Sequence, residues 1–485
     1  MRSAFLLVLA SVMSLCVSRP SFAAPELGSA RVLRLYGATA KLSGQVKFDS
    51  GPRWLAAVGG AGISWPIEVR RSGEYRISIV YAADDPGHPY RLSIGAHRFD
   101  GTLRSQSGIF ADPLQNFTRM QVAETSIAGG RQVVQIRLQS SNAKVYLRSV
   151  EIEPVTAERR AERAAAERSR ADTDWLADGP YGVMFHWTDQ SQPRHGPAKS
   201  YAQAVADFNV PKFAKMVAGT GAAYVIFTVN HADPTCPAPI VSWEHYHPGW
   251  TTRRDLIGEI ADALGKRHIR LILYIASHTL GGLYKSSAAK YIQIHEDVFS
   301  ELGKRYGTRI AGYWLDGWYQ TMEAYPGIST RKLQPYIRAG NPNRLVAYNF
   351  WIYPVETPWQ DYWAGEVAGP VTPAGSRFIR SGPGAGLQDH NLIILDAPWV
   401  HSTPNSEMEP PRFSTSELIE YVRAMHAHHE AVTLNVGIFQ DGTIGEKTKA
   451  QLAALREALR PAGLETARSS AGQTRSDSNH DLKGS

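Results

Sequence analysis

Cysteine is nearly absent: 485 residues hold two, Cys16 and Cys236. Cys16 falls inside an expected leader, so the mature chain keeps one thiol and no internal disulfide. Without cross-links the fold must rest on buried apolar area, and the chain is long enough for two cores. Long hydrophobic runs are missing too. The apolar stretch that includes residues 5–12 (FLLVLASV) stops at Arg19-Pro20, well short of the roughly 20 residues a spanning helix needs. No concentrated stripe of one charge exists. Lys and Arg number 52 against 45 Asp and Glu, spread along the chain, which argues against a nucleic-acid partner. A phosphate loop, a Gly-x-Ser-x-Gly elbow and a dinucleotide fingerprint are all lacking, so those enzyme classes have no support.

What is present begins with the leader. Arg2 supplies a positive start, residues 5–12 an apolar centre, and Ser21-Phe22-Ala23 small residues at the two positions a signal peptidase reads. Residues 1–23 are therefore expected to be a signal peptide, and the mature protein secreted or periplasmic. Leu15 precedes Cys16, where a lipoprotein signal wants a small residue, which argues against lipidation. Twelve Trp and 21 Tyr form the strongest compositional bias. Such rings suit stacking on sugar faces, and large cores use them equally.

Residues 28–155 alternate apolar and polar side chains in short runs such as GEYRISIVY and RQVVQIRL, separated by turn clusters such as DDPGHP. Period two with frequent turns predicts an antiparallel β-sandwich. Its layout, with Trp54 and Trp65, is similar to a carbohydrate-binding module in pattern, and a purely structural sandwich fits equally well. Residues 156–171, with the run TAERRAERAAAERSR, read as a helical linker with Arg163 and Glu167 one turn apart. From 172 to 460 buried-strand runs (224–228, 269–274, 310–315) alternate with amphipathic stretches (213–218, 255–267, 288–306). That rhythm predicts a (β/α)8 TIM-like barrel. Residues 461–485, rich in Ser, Gly, Arg and Asp, read as a disordered tail.

In such a barrel, polar residues at the C-terminal strand ends face the active site. The rule selects His186, then Asn230, His231 and Asp233, then Tyr274 and His278, then Asp316. A metal is not expected. His245-x-His247 and His426-x-His428-His429 have tempting spacings, but the second cluster follows the helical SELIEYVRAM, which spreads its rings. No organic cofactor is implied either.

The segments YGVMFHW, GAAYVIFTVNHADPTC, RRDLIGEIADALGKRHIRLILYIA, YGTRIAGYWLDGW and EAVTLNVGIFQDGTI occur in that order. Together they resemble the successive signatures of glycoside hydrolase family 29, the α-L-fucosidases, over about residues 180–450. The resemblance implies a retaining double displacement on a glycan, with Asp316 as nucleophile and a second carboxyl as acid/base. It also implies His186, His231 and Tyr274 as residues that hold sugar hydroxyls or support the nucleophile, with Asn230 at a matching contact position. The alternative role for Asp316 is a structural cap of the next helix.

Departures from the family are several. Ala232 stands where the second adjacent His belongs and Asn230 where Lys belongs. Lys199-Ser200-Tyr201 replaces a Glu-Trp-Tyr, and the expected Arg is replaced within Tyr348-Asn349-Phe350-Trp351. Glu366 in the aromatic-rich DYWAGEVAGP is the first choice for the acid, with Asp396 and Asp389 as competitors. Trp187, Trp318, Trp351 and Trp363 are candidate stacking walls, each of which could equally be core. Two rivals stay open: a glycan-binding barrel without catalysis, and a hydrolase of a different sugar.

Overall fold

The computed structural model describes residues 25–28, 31–49, 53–84, 87–105, 110–111, 114–139, 144–367 and 371–460. The expected signal peptide and the expected tail lie outside them. Among the described residues no helix is long and apolar enough to cross a membrane.

The N-terminal part forms two six-stranded sheets. One runs Glu26–Leu27, Gly62–Val69, Gly130–Leu138, His88–Ile94, His97–Leu103, with Lys41–Ser43 also on Gly62–Val69. The other runs Thr118–Ile127, Gly73–Ala83, Val145–Pro154, Trp54–Ala57, Val46–Asp49, with Leu33–Tyr36 also on Val145–Pro154. Alternate residues of both sheets, including Ile63, Ile67, Val134, Ile136, Ile77, Ile79, Val150 and Ile152, meet in one core, as period two dictates. The pairing is antiparallel except at Glu26–Leu27, which joins Gly62–Val69 in parallel. Trp65 is fully buried in this core and donates to the Tyr36 carbonyl at 2.8 Å. Trp54 is also buried, so neither tryptophan offers a ring to solvent.

The helix after the sandwich spans Ala157–Arg168, and the Thr156 hydroxyl caps it by accepting from Arg159 N. It is pinned rather than free. Glu153 of the sandwich pairs with Arg159 at 3.0 Å and with Arg163 at 3.7 Å.

The second part is a curled parallel sheet of seven strands: β1 (Gly182–Phe185), β2 (Tyr224–Asn230), β3 (Arg270–Ala276), β4 (Gly312–Asp316), β5 (Leu345–Tyr348), β6 (His390–Ile394) and β7 (Ala431–Asn435). Their order is β5-β4-β3-β2-β1-β7-β6, and among the described residues helices follow every strand except β5. Segment 361–367 runs between the two edge strands. Asp361 N donates to Val346 O at 2.9 Å on the β5 side, while Trp363 N reaches Gln388 O and Leu392 N reaches Gly365 O near β6. Side chains complete the seam: Val346 N donates to Asp361 Oδ2 and Tyr348 N to Gln360 Oε1.

Two cores flank the sheet. Met184, Ile226, Ile272, Tyr274, Trp314, Ala347, Tyr362, Ala364 and Leu392, drawn from strands all around, meet inside it. Residues of opposite parity (Val183, Phe185, Val225, Phe227, Leu273, Leu315, Val346) pack outward against the helices. This alternation positions the site, because the next inward position past each strand's interior residue opens at the C-terminal face.

Candidate active site

Counting inward positions by two from the interior core gives His186 after Met184, Asp316 after Trp314, Asn349 after Ala347 and Glu366 after Ala364. Tyr274 is itself inward. The hydrogen bonds agree. The Tyr274 hydroxyl donates to Asp316 Oδ2 at 2.6 Å, and Asn349 Nδ2 donates to Asp316 Oδ1 at 2.7 Å. The same Asn349 nitrogen donates to Glu366 Oε2 at 2.6 Å. Two oxygens bound to one nitrogen lie no farther apart than the two bonds laid end to end. That upper limit excludes for these oxygens the roughly 6.5–9.5 Å separation of inverting glycosidases and is compatible with the closer pair of retaining ones. The amide cannot turn over, because Asn349 Oδ1 accepts from Trp351 N at 2.9 Å.

The two carboxyls sit in different electrostatic surroundings. Burial pushes the Asp316 carboxyl up, but His278, the Tyr274 and Asn349 hydrogen bonds and His231 outweigh it. They hold Asp316 below the ordinary carboxylate value. Glu366 is pushed up to about 8, by burial first and by the neighbouring Asp316 charge second, against a small lowering from Asn349. At neutral pH Asp316 is a carboxylate and Glu366 a neutral acid, so the two carboxyls are suited to different roles.

Four rings form one side. His186 Nδ1 lies 3.0 Å from Asn435 Oδ1, and its ring centroid lies 4.8 Å from Tyr274, 4.9 Å from Trp399 and 5.5 Å from His231. Burial first, then His231, lowers His186 to about 3. Burial likewise lowers His231, against the pull of Asp316. Both rings are therefore neutral at pH 7, able to donate and to accept. Tyr274 stacks on Trp314 with centroids 5.1 Å apart. Gly317, at a left-handed φ of 78°, turns the chain after Asp316, and a Cβ there would sit 2.2 Å from His278 Nδ1. The close approach of His278 to the residue after Asp316 requires glycine.

Several expected residues lie elsewhere. Trp187 has the opposite parity to His186; its ring packs on Phe208 and Phe227 and its Nε1 donates to Gln440 O. It is outer core rather than a stacking wall. Trp318 is buried against Tyr348, Tyr291 and His295 with Nε1 on Ser277 Oγ, so it too is core. Asn230 clasps the next strand, donating to Ala276 O at 3.1 Å and accepting from Ala276 N at 2.9 Å. The clasp spans a register irregularity between β2 and β3, and it uses the amide that a sugar would need. Trp363 is half-buried on the parity opposite to Glu366.

The competing acids are also placed apart. Asp396 spends its oxygens on Ala397 N, Gly437 N and Thr448 Oγ1, holding a loop. Asp389 precedes β6, at the opposite end of the sheet from Asp316, where burial and then Glu430 push it up to about 7. Asp233 faces Asp189, whose carboxyl burial and that neighbour push up to about 6. Among the described residues no group of three or more His, Cys, Asp or Glu converges as a metal site. His247 is bonded to Leu280 O and His429 to Asp178.

Three residues were not singled out in the sequence. Asn349 bridges the carboxyls. Tyr319 lies near enough for Asp316 and Glu366, after burial, to raise its hydroxyl well above the ordinary tyrosine value. Trp399, half-buried beside His186, has a φ of 67°, and Trp351 has 57°. Non-glycine residues in this region are rare and cluster at functional sites.

Comparison with known proteins adds the relatives. The family model described as alpha-L-fucosidase matches residues 197–463. Tissue alpha-L-fucosidase of Macaca fascicularis is 31% identical over 138 residues, covering 22% of this chain and 29% of that protein. The Homo sapiens tissue alpha-L-fucosidase gives the same identity and coverage. The matched region thus spans under a third of the length of these curated relatives. Among solved structures, alpha-L-fucosidase isoenzyme 1 from Paenibacillus thiaminolyticus is 18% identical, with 61% of this chain and 77% of that chain covered and a TM-score of 0.46. A family 29 alpha-L-fucosidase from Bacteroides thetaiotaomicron is 14% identical, covering 59% and 73%, with a TM-score of 0.43. Because the family model runs over more than half of the sequence, the chain belongs to the alpha-L-fucosidase family.

Proposed function

We propose that this protein is an exported, retaining glycoside hydrolase of α-L-fucosidase type that removes a terminal deoxysugar from glycans. The second part would be a (β/α)8 barrel in which segment 361–367 serves as an irregular stave between β5 and β6. Asp316 attacks the anomeric carbon while protonated Glu366 gives its proton to the departing glycosidic oxygen. A glycosyl–Asp316 ester forms and the leaving group departs as an alcohol. Glu366, now a carboxylate, takes a proton from water, whose oxygen attacks the same carbon and frees Asp316. Tyr274 holds the nucleophile's outer oxygen. His186 and His231 supply neutral rings to sugar hydroxyls, and half-buried Trp351 and Trp399 supply walls.

The observation that carries this reading is the shared donor: one Asn349 nitrogen on both carboxyls, with one carboxyl lowered and the other raised. A helix cap for Asp316 is disfavoured, since its oxygens are taken by Tyr274 and Asn349 rather than by helix amides. A second reading keeps the chemistry and changes the sugar. It is favoured by Asn230, whose amide is committed to Ala276, and by Ala232, which has no ring to offer. Hydrolysis of a panel of 4-nitrophenyl glycosides, with Asp316→Ala beside the wild type, tests both. Release from the α-L-fucoside that vanishes in the variant supports the first reading, and release only from another glycoside supports the second. No release from any member of the panel opposes both and favours a binding barrel.

A further inference from the structure

The sandwich does not merely sit beside the barrel. Trp54, 3% exposed, lies in one core with Trp318, Tyr348 and Phe350 of the barrel. Its ring stacks on Trp351 with centroids 5.9 Å apart and planes at 16°. Phe117 of the sandwich packs on Trp54 at 5.3 Å and on Tyr353 at 4.9 Å, and its N–H donates to Ile352 O. The sandwich thus holds the Trp351 ring and the two residues that follow it, around a left-handed backbone that an L residue keeps only when its surroundings impose it. From there the path to the site is one residue long. Trp351 N–H fixes Asn349 Oδ1, and Asn349 Nδ2 holds both carboxyls.

A second strut reaches the same place. Arg148 of the sandwich is fully buried, its guanidinium between the rings of Tyr36 at 4.5 Å and Tyr353 at 4.2 Å. It donates to Tyr319 O and to Glu323 Oε2, on the helix that follows Asp316. Arg53 meets the same Glu323 oxygen at 3.2 Å. Tyr319 in turn stacks near Trp351, centroids 5.7 Å apart.

We propose that the N-terminal sandwich is a built-in part of the active site, with Trp54 a positioning residue that acts through Trp351 and Asn349 on Asp316 and Glu366. The inference rests on the assignment of those two carboxyls as the reacting pair. Without the Trp54 ring, Trp351 relaxes, the Asn349 amide is no longer locked, and more water reaches the half-buried carboxyls. Burial is the largest cause raising Glu366, so Glu366 falls. Asp316 rises, because it loses a donor. The two values converge, which plain loss of stability does not bring about.

The test uses the full chain with Trp54→Phe, Trp54→Leu and Trp54→Ala, checked for folding by thermal unfolding. The Glu366 carboxyl is titrated by infrared difference spectroscopy, with Glu366→Gln assigning its band, and kcat/KM is followed against pH on an activated fucoside. Trp54→Leu keeps more apolar volume than Trp54→Ala, so it answers if Trp54→Ala does not fold. Expected in Trp54→Leu is a downward shift of Glu366 by about one pH unit and a fall in kcat of about tenfold with KM nearly unchanged, while Trp54→Phe restores most of both. A Glu366 band that titrates in Trp54→Leu where it does in the wild type overturns the inference, as does one that is ordinary in the wild type. The band does not depend on which sugar is cleaved. If no glycoside is hydrolysed, the functional reading fails on its own and the infrared titration still decides the link.

Discussion

Asp316 and Glu366 accept hydrogen bonds from one and the same nitrogen, Asn349 Nδ2, at 2.7 Å and 2.6 Å. A neutral amide is a sparing way to hold two carboxyls together. It spaces them without adding a charge, so burial and mutual repulsion are left to drive one proton onto Glu366. An arginine there would pull both carboxyls down.

The pH dependence follows from this pair. The proposed double displacement requires Asp316 ionised and Glu366 protonated. The kcat/KM profile on a fucoside is expected to be a bell whose acid limb lies below the ordinary carboxylate range and whose alkaline limb lies near pH 8. In Glu366→Gln the alkaline limb disappears.

Glu366→Ala should separate substrates by leaving group. With a poor leaving group, loss of the proton donor costs about 10²–10⁴-fold in rate, whereas an activated aryl fucoside should lose far less. Azide should restore turnover and yield a glycosyl azide, read by mass spectrometry. Equal losses on both substrates without azide rescue would move the acid role elsewhere.

Stability should show the cost of keeping Glu366 as an acid. Its folded value is raised above the ordinary one, so the folded state binds the proton more tightly than the unfolded state. Stability is full at low pH and falls as pH rises from the ordinary glutamate value toward about 8. Glu366→Gln removes that loss. Urea unfolding is expected to show the variant more stable than wild type by about 2–4 kcal/mol at pH 8, with the gap closing near pH 4.

Asn230→Leu should act on the fold before it acts on the sugar. The substitution leaves both the N–H and the carbonyl of Ala276 without their side-chain partner, a loss of about 1–3 kcal/mol per stranded group. A fall in unfolding midpoint with KM close to wild type is expected. A large rise in KM at unchanged stability would return Asn230 to the list of sugar contacts.

Arg148→Ala should be the more damaging change at the domain junction. It removes the more buried of the two arginines on Glu323 and leaves Arg53 in place, so a loss of about 1.5–3 kcal/mol is expected from the lost charge-assisted hydrogen bond. Thermal unfolding of the full chain measures it, and a loss below 1 kcal/mol would mean the junction tolerates the gap.

Much of this architecture is legible in the sequence, where local signals agree. The helix read at 288–306 is found at Ala288–Tyr306, since Ser287 caps its start and left-handed Gly307 ends it. Strands read at 224–228 and 269–274 are found slightly longer, because parallel strands buried on both faces carry continuous apolar runs. Parity along each strand was also readable, and it separates inward His186 from outward Trp187. The same counting points to Asn349, two past Ala347, but nothing in a lone asparagine says that its amide will meet two carboxyls from different strands. Asn230 resembles a sugar contact by position, and only the register irregularity beside it turns the amide onto Ala276. The Trp54–Trp351 stack joins residues some 300 apart, and neither composition nor period carries such a pairing.

The most direct test of the central claim is the stereochemistry of the first product. Hydrolysis of 4-nitrophenyl α-L-fucoside by the purified protein is followed by proton NMR from the first turnovers, before mutarotation mixes the anomers. Carboxyls held at the spacing set by Asn349 leave no room for a water between Asp316 and the sugar, so α-L-fucose should appear first and release should vanish in Asp316→Ala. The β-anomer appearing first would contradict a double displacement through Asp316 and Glu366, as would the lack of release from any glycoside of the panel.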